Sequence, residues 1–449
     1  MAKVSVVVPC LNMRQYIGAC LESITAQTLK DIEILVVDAG SSDGTLEILD
    51  GLMKKDERIS LVCSSQKSYG HQVNLGIRHA AGRYIAIVDA DDKITPGMYE
   101  TLYGNAVRSG ADYVKGTAKS FYTISDDFTY YMPLGQFSGA EYRNGIIEVV
   151  PAGMPELLTR DNFLWYGIFR REFMKDILLH ESPGAAFQDL GGLLQTQMQA
   201  RKAVYLKDAF YEYRQDNAAA SARNPHGFRF VWEEYTWAER FITGACDGWK
   251  AAFYRKLFLH TMSVYSTMAA GGTFWEGSRE YIRLIAGRLR ERLTDGLLCR
   301  ESFSGEEWDK LRMFMENDGG LYDIFAEQHS CRRRQLINIS KTAENRNIVI
   351  FGYGNLGIFV YAQIKRHGLG RVAAFCDNQR EKQGLLFDGI AVLSPEQAAE
   401  RYCNGCFVVA GGRWSGDMSE QLTALGVPRK QICAYTAGME MRLFGMSPV

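Results

Sequence analysis

Residues 84–92 read YIAIVDADD, a strand-forming run that passes directly into three carboxylates. Three other stretches share the first half of that pattern. Val4–Val8, Glu33–Val37 and Ile59–Cys63 are short, apolar and rich in Val and Ile, as buried strands are. Between them the apolar period changes. Tyr16, Ile17, Cys20, Leu21 and Ile24 recur at helical spacing, and Leu46, Ile48, Leu49, Leu52 and Met53 do so after Ser42, Asp43 and Gly44, a helix start. Strand–helix alternation of this kind predicts a parallel α/β sheet with helices on both faces.

Open α/β sheets bind their ligands beyond the carboxyl ends of the strands. The first strand ends there in Pro9, Cys10, Leu11 and Asn12, and the second in Asp38 before the turn-forming AGSSDGT. The strand at 84–88 ends in Asp89, Asp91 and Asp92. Such a set can hold a hard divalent cation, Mg2+ or Mn2+, together with phosphate oxygens of a nucleotide. An Asp-rich turn can also do no more than cap a helix, the role expected of Asp43.

The 449 residues exceed one ordinary domain, and 47% hydrophobic with 23% charged residues is the composition of a chain with several packed cores. Fifty-one Lys and Arg against fifty-two Asp and Glu give a net charge of −1. That balance argues against a protein devoted to nucleic acid. Ten cysteines lie scattered in apolar contexts, with one C-x-x-C pair at Cys403 and Cys406, a pattern suited to a reducing compartment. The apolar run near Met1 is too short for a signal peptide, and no stretch approaches the ~18 apolar residues of a membrane span. A cytoplasmic location is therefore expected.

Strand signals vanish from about 216 to 340, where helical periodicity takes over, as at Ile282, Ile285, Leu289 and Leu293. A new α/β unit opens at Ile348. The expected organisation is an α/β domain over 1–225, a helical region over 226–340 and a small Rossmann-like domain over 341–449. The Arg-rich helix near 280–293, with Arg332–Arg334, could meet an anionic membrane surface, giving peripheral contact, or could simply be solvated.

The motifs VSVVVPCLN, VVDAGSSDGT and NLGIRHAAGRYIAIVDADD, in that order, resemble family-2 glycosyltransferases of the GT-A fold. LWYGIFRREF, ESPGAAFQD and AVYLKDAFYEYRQDN are similar to the acceptor half of bacterial members that build cell-surface polysaccharides. The resemblance covers residues 3–225. It implies inverting, metal-dependent transfer of a sugar from a nucleoside-diphosphate donor, a UDP-sugar, to a hydroxyl of a glycan or lipid-linked acceptor.

On this resemblance Asp38 contacts the base or ribose, Pro9 and Asn12 shape the wall beneath the base, and Asp89 belongs to the donor site. Asp91 and Asp92 bind the Mn2+ or Mg2+ that bridges the diphosphate, and Asp189, in FQD, is the general base. A metal neutralises the leaving diphosphate, and a carboxylate takes the proton of the attacking hydroxyl. Inversion is one displacement and needs no covalent nucleophile. Departures from the family pattern are Leu11 where many relatives carry Tyr, Gln188 where Glu is usual, and Val73 near a usually basic position. His71 could supply that charge beside the diphosphate, or simply open a helix. Trp165, Tyr166, Arg170 and Arg171 fall on the acceptor side, and Arg214 could reach diphosphate or acceptor.

Near the C-terminus, the strand 347–351 is followed by Gly352, Gly354 and Gly357 in G-x-G-x-x-G spacing, with Asp377 twenty residues past the last glycine, at a second strand end. In that context the pattern can bind a dinucleotide, NAD, or another nucleotide. The same glycines also serve a tight turn and close helix–sheet packing. A nicotinamide-dependent oxidoreductase or a nucleotide-binding regulatory protein acting through this unit is the alternative to a transferase. A non-catalytic scaffold is a third reading, against which the intact D-x-D-D stands.

Overall fold

In the computed structural model, which describes residues 2–436 apart from 126–127, 185, 218, 272–274 and 317–319, strand β1 (Val4–Cys10) is buried from end to end. A strand covered on both faces has no solvent side, which explains its unbroken apolar run. The one polar interior residue, Ser5, gives its hydroxyl proton to Glu33. Helix α1 (Ile17–Thr25) turns Ile17, Cys20, Leu21 and Ile24 inward, the period expected. Strands β2 (Ile32–Asp38) and β3 (Ile59–Cys63) extend the sheet in parallel, with α2 (Thr45–Met53) between them. Helix α3 (Tyr69–His79) then leads to β4 (Tyr84–Ile87), parallel to β1 on its other side. Val4, Val6 and Val8 pack with α1, whereas Val7, Leu35 and Val37 pack with Val73 and Ile77 of α3, so both faces are covered.

Past the acidic loop come β5 (Lys93–Ile94), α4 (Met98–Ser109), β6 (Tyr113–Ser125), β7 (Phe128–Leu134) and β8 (Ile146–Val149). Then follow α5 (Leu157–Arg160), β9 (Gly167–Arg170), α6 (Arg171–Met174), α7 (Leu190–Gln199) and β10 (Ala203–Arg214). Strand β9 runs antiparallel between β4 and β6, and β10 takes β5 and β8 as antiparallel partners. The order is β3-β2-β1-β4-β9-β6-β10-β5, a parallel half carrying the acidic strand ends and a mixed half continuing it.

Only helices follow among the described residues up to Thr342: α8 (Gly227–Ala238), α9 (Asp247–Gly271), α10 (Ser278–Thr294), α11 (Gly305–Glu316) and α12 (Gly320–Thr342). The chain up to Ser120 and again over Pro133–Leu321 forms one compact unit, so α8 to α11 share a body with the large sheet. Helix α8 packs on α7 and α9 on α5, and Trp249 of α9 gives its indole proton to the Ala152 carbonyl. The arginines of α10 are largely engaged: Arg288 lies over Trp232 and beside Glu239, Arg292 pairs with Asp295, and Arg290 bonds the Met315 carbonyl. Among the described residues no helix is long and apolar enough to cross a membrane.

Phe121–Met132 and the chain from Tyr322 onward make the second unit. It contains β11 (Ile348–Phe351), α13 (Asn355–His367), β12 (Val372–Cys376), β13 (Leu386–Phe387) and β14 (Ile390–Leu393). Helix α14 (Pro395–Arg401), β15 (Cys406–Val409), α15 (Ser415–Ala424) and β16 (Ile432–Ala434) complete it. The order β13-β14-β12-β11-β15-β16 is parallel except for the β13–β14 hairpin, the small Rossmann-like sheet that the glycine motif predicts. Tyr130, from the β6–β7 hairpin, is buried in this core with Ile339, Ile348 and Phe375, its ring 6.2 Å from that of Phe359.

Candidate active site

The carboxyl ends of β1 and β2 are tied by short polar bonds. Asn12, at φ 54°, accepts from the Ser42 amide at 2.9 Å, and its own amide donates to the Ser41 hydroxyl at 2.8 Å. Asp38 is buried and turned to its own loop, where one oxygen accepts the Gly40 and Ser41 amides at 2.8 and 2.9 Å and the other the Ser41 hydroxyl. Pro9 sits inside β1 opposite Val37. Gln72, from α3, donates to the carbonyls of Cys10 and Val37 at 2.7 and 2.6 Å and so locks the two strand ends together.

The acidic loop after β4 divides its three carboxylates. Asp92 is fully buried, accepting the Tyr211 hydroxyl at 2.7 Å and the Arg214 amide at 2.6 Å. Asp89 and Asp91 remain partly open. Asp89 accepts from the Tyr69 hydroxyl at 3.1 Å, and Asp91 from the Asn217 amide group at 2.7 Å. Burial first, then the carboxylates of Asp91 and Asp189, push Asp89 up to about 7, and burial raises Asp91 as well. Arg214 braces the loop by donating from Nε to the Asp91 carbonyl at 2.8 Å, pairing with Asp216 at 3.1 Å and lying 4.7 Å from the Tyr16 ring.

Asp189 precedes α7, yet its side chain makes no capping bond to that helix. The carboxylate sits instead in the electrostatic neighbourhood of Asp89, Tyr69, Lys115, Lys256 and Glu234. Burial raises it, while the ammonium groups of Lys256 and Lys115 pull it down. The loop before it is clamped from three directions. Gln188 accepts from the Gly70 amide at 2.7 Å, His71 pairs with Glu181 at 2.9 Å, and Glu234 of α8 accepts from His180 and Ser182 at 2.9 and 2.7 Å. Gly70 has no room for a side chain, since a Cβ there would lie 1.9 Å from the His180 carbonyl oxygen.

The remaining sequence candidates fall out as follows. His71 is bonded to Glu181, and Trp165 is stacked between Tyr211 and Phe163 at 4.1 and 4.5 Å, inside the apolar core beneath the loop. Tyr69, Tyr211, Asn217 and Glu234 escaped the sequence reading, because nothing local marks a side chain whose partner lies 20 to 126 residues away. Among the described residues no group of three His, Cys, Asp or Glu side chains converges as a ready metal cage. All ten cysteines are free, including Cys403 and Cys406. In the second unit, Gly357 is required by close packing, a Cβ there falling 1.8 Å from the Gly352 carbonyl oxygen, and Gly352 itself has φ +110°. Gly354 opens α13, and Asp377 accepts from the Tyr353 and Gln379 amides at 2.8 and 2.9 Å.

Comparison with known proteins meets this geometry. The family model described as glycosyl transferase family 2 matches residues 5–178, which span β1 to β4 and the acidic loop. Glycosyltransferase GlyG of Streptococcus pneumoniae serotype 4 is 31% identical over 223 residues, 47% of this chain and 70% of that protein. Glycosyltransferase EpsJ of Bacillus subtilis, itself uncharacterized, is 29% identical over 219 residues, 47% of this chain and 61% of its own length. A crystal structure of S. aureus TarS 1-349 in complex with UDP-GlcNAc superposes with TM-score 0.51 at 17% identity, covering 74% of this chain and 92% of that one. The chain is a glycosyltransferase enzyme with a GT-A-like sheet, and it belongs to glycosyltransferase family 2.

Proposed function

We propose that the first unit transfers a sugar from a UDP-sugar to a hydroxyl of a glycan or lipid-linked acceptor, with inversion, on the cytoplasmic side of cell-surface polysaccharide synthesis. The observation that carries this reading is the gathering of Asp89, Asp91 and Asp189 about one sheet edge, each held above the usual carboxylate range by burial and Asp89 also by the charges of the other two. The UDP-GlcNAc of the TarS complex and the polysaccharide-type resemblance of residues 3–225 support the donor and acceptor classes.

Asp89 and Asp91 are the partly open carboxylates, so they would hold Mn2+ or Mg2+ together with diphosphate oxygens, a donor set of one or two carboxylates plus phosphate that suits such ions. Carboxylates crowded enough to resist ionisation are the chemistry a divalent cation relieves. Bound there, the cation supplies positive charge against the departing diphosphate. Asp92, bonded to Tyr211 and Arg214, would hold the loop that presents Asp91. Asn12, Pro9 and Asp38 would form the rim on which the base and ribose rest.

Asp189 takes the proton of the attacking hydroxyl. The new bond from that oxygen to the anomeric carbon forms as the bond to the diphosphate breaks, with the electron pair leaving on the diphosphate. One displacement inverts the anomeric centre. The test is UDP release from UDP-GlcNAc and UDP-glucose with Mn2+, using the native chain and Asp189→Asn. Loss of release with an unchanged melting temperature supports the reading, and retained release in Asp189→Asn overturns it.

A further inference from the structure

We propose that Lys256 of α9 is a positioning residue that keeps the Asp189 carboxylate ionised, so that it can accept a proton near neutral pH. The inference rests on the reading of Asp189 as the base.

Lys256 is buried, and its ammonium donates to two neutral acceptors, the Leu158 carbonyl and Asn162 Oδ1, both at 2.6 Å. A buried cation without a carboxylate in contact is costly, and its charge acts on whichever anion lies within reach. Two carboxylates do, Asp189 and Asp161. Asp161 already holds Lys115 at 2.7 Å together with the hydroxyls of Tyr205 and Tyr166. Among the described residues Asp189 has no such partner of its own.

Helix α9 also touches the loop that bears Asp189. His260, one turn beyond Lys256, places its ring 4.2 Å from that of Phe187, which stands two residues before Asp189 at φ 69°. A bulky side chain in the left-handed region is held there only by its surroundings. The same helix thus fixes the loop and delivers the charge.

The groups facing Asp189 come from five elements. Lys115 lies on β6, Lys256 on α9, Asp89 after β4, Tyr69 on α3, and Glu234 and Tyr235 on α8. Burial keeps the two tyrosines and Glu234 neutral at pH 7, the last pushed up to about 8, and it holds His260 uncharged, down at about 3. Burial draws Lys256 down to about 8, which leaves it protonated at neutral pH. Asp89 is itself pushed up by the Asp189 charge and offers no cation. Lys115 is shared with Asp161. Lys256 is the remaining cation of the set.

The experiment is the pH dependence of kcat for sugar transfer in the native chain, Lys256→Gln, Lys256→Arg and Asp189→Asn. Removing a nearby cation raises a carboxylate's pKa, so the acid limb of Lys256→Gln should move up by about one pH unit. Lys256→Arg should keep the native midpoint. Should Lys256→Gln fail to fold, Asn162→Asp sets a carboxylate against the ammonium in nearly the same shape and should move the limb in the same direction. A lower kcat with an unmoved midpoint would show Lys256 to be merely structural and overturn the proposal. Activity in Asp189→Asn would instead remove the base on which it rests.

Discussion

Gln188→Glu is an isosteric change that should destabilise the protein in a pH-dependent way. Gln188 is 1% exposed and uses both ends of its amide. The oxygen accepts from the Gly70 amide at 2.7 Å and the Ser68 hydroxyl at 3.3 Å, and the nitrogen donates to the Ser182 carbonyl and, at 2.7 Å, to the Ser182 hydroxyl oxygen. A carboxylate in its place sets a charged oxygen against that carbonyl, and the Ser182 hydroxyl cannot turn to help without leaving Glu234. Two escapes exist. The group can stay ionised, at several kcal/mol for an unpaired buried charge. It can instead take a proton, which at pH 7 costs about 3.7 kcal/mol for a glutamate of ordinary pKa ~4.3. The cheaper route sets the ceiling of the pH-dependent loss, at most about 4 kcal/mol at pH 7 and about 1 kcal/mol at pH 5, on top of the one hydrogen bond that a single carboxyl proton cannot replace. The sign follows from a folded pKa raised above the unfolded one: this part of the stability is intact below about pH 4.3 and lost as pH rises through the folded value. Thermal unfolding of both proteins at about pH 5 and about pH 7.5 reads the difference, at roughly 2–4 °C per kcal/mol. An equal drop at both pH values, or none at either, would refute the reasoning.

Glu234→Gln should behave in the opposite sense. Burial holds Glu234 up at about 8, so the native chain loses stability relative to the variant as pH rises from about 5 to about 8, by up to ~1.4 kcal/mol per pH unit. Parallel melting curves across that range would contradict it. Lys115→Met should cost about 3–5 kcal/mol by stranding the Asp161 carboxylate among its two tyrosines, and Lys115→Met with Asp161→Asn should recover much of that. Urea unfolding of the two single variants and the double decides, and strictly additive losses would count against the coupling.

Strands β1 to β4 were legible because a strand buried on both faces writes its burial into consecutive residues, and the polar residues at their ends mark the edge at which open α/β sheets bind ligands. Asp89 and Asp91 could be found the same way, whereas Asp189, ahead of a helix, stood out only through the FQD motif of the family resemblance. Asp92 reads identically to Asp91 in YIAIVDADD, yet Tyr211 and the Arg214 amide, more than a hundred residues on, draw it into the interior. Trp165 looks like a sugar-stacking platform until Tyr211 is found lying on it. The helices after residue 226 show only amphipathic period, and period does not say which body they cover. Glu234 and Lys256 carry the consequence, since each acts on a loop some fifty residues or more upstream.

The hairpin that carries Tyr130 has a history as well as a place. Its core partners, beginning in α12, are separated from it by the whole of Pro133–Leu321. At ribosomal rates of ~5–20 residues per second, Tyr122, Tyr130 and Met132 emerge on the order of ten seconds or more before Ile339 and Ile348 exist to cover them. The nascent chain therefore carries an exposed apolar tab for that interval, and a truncation after Leu321 would make it permanent. A soluble catalytic fragment should need the tab shortened as well as the tail removed.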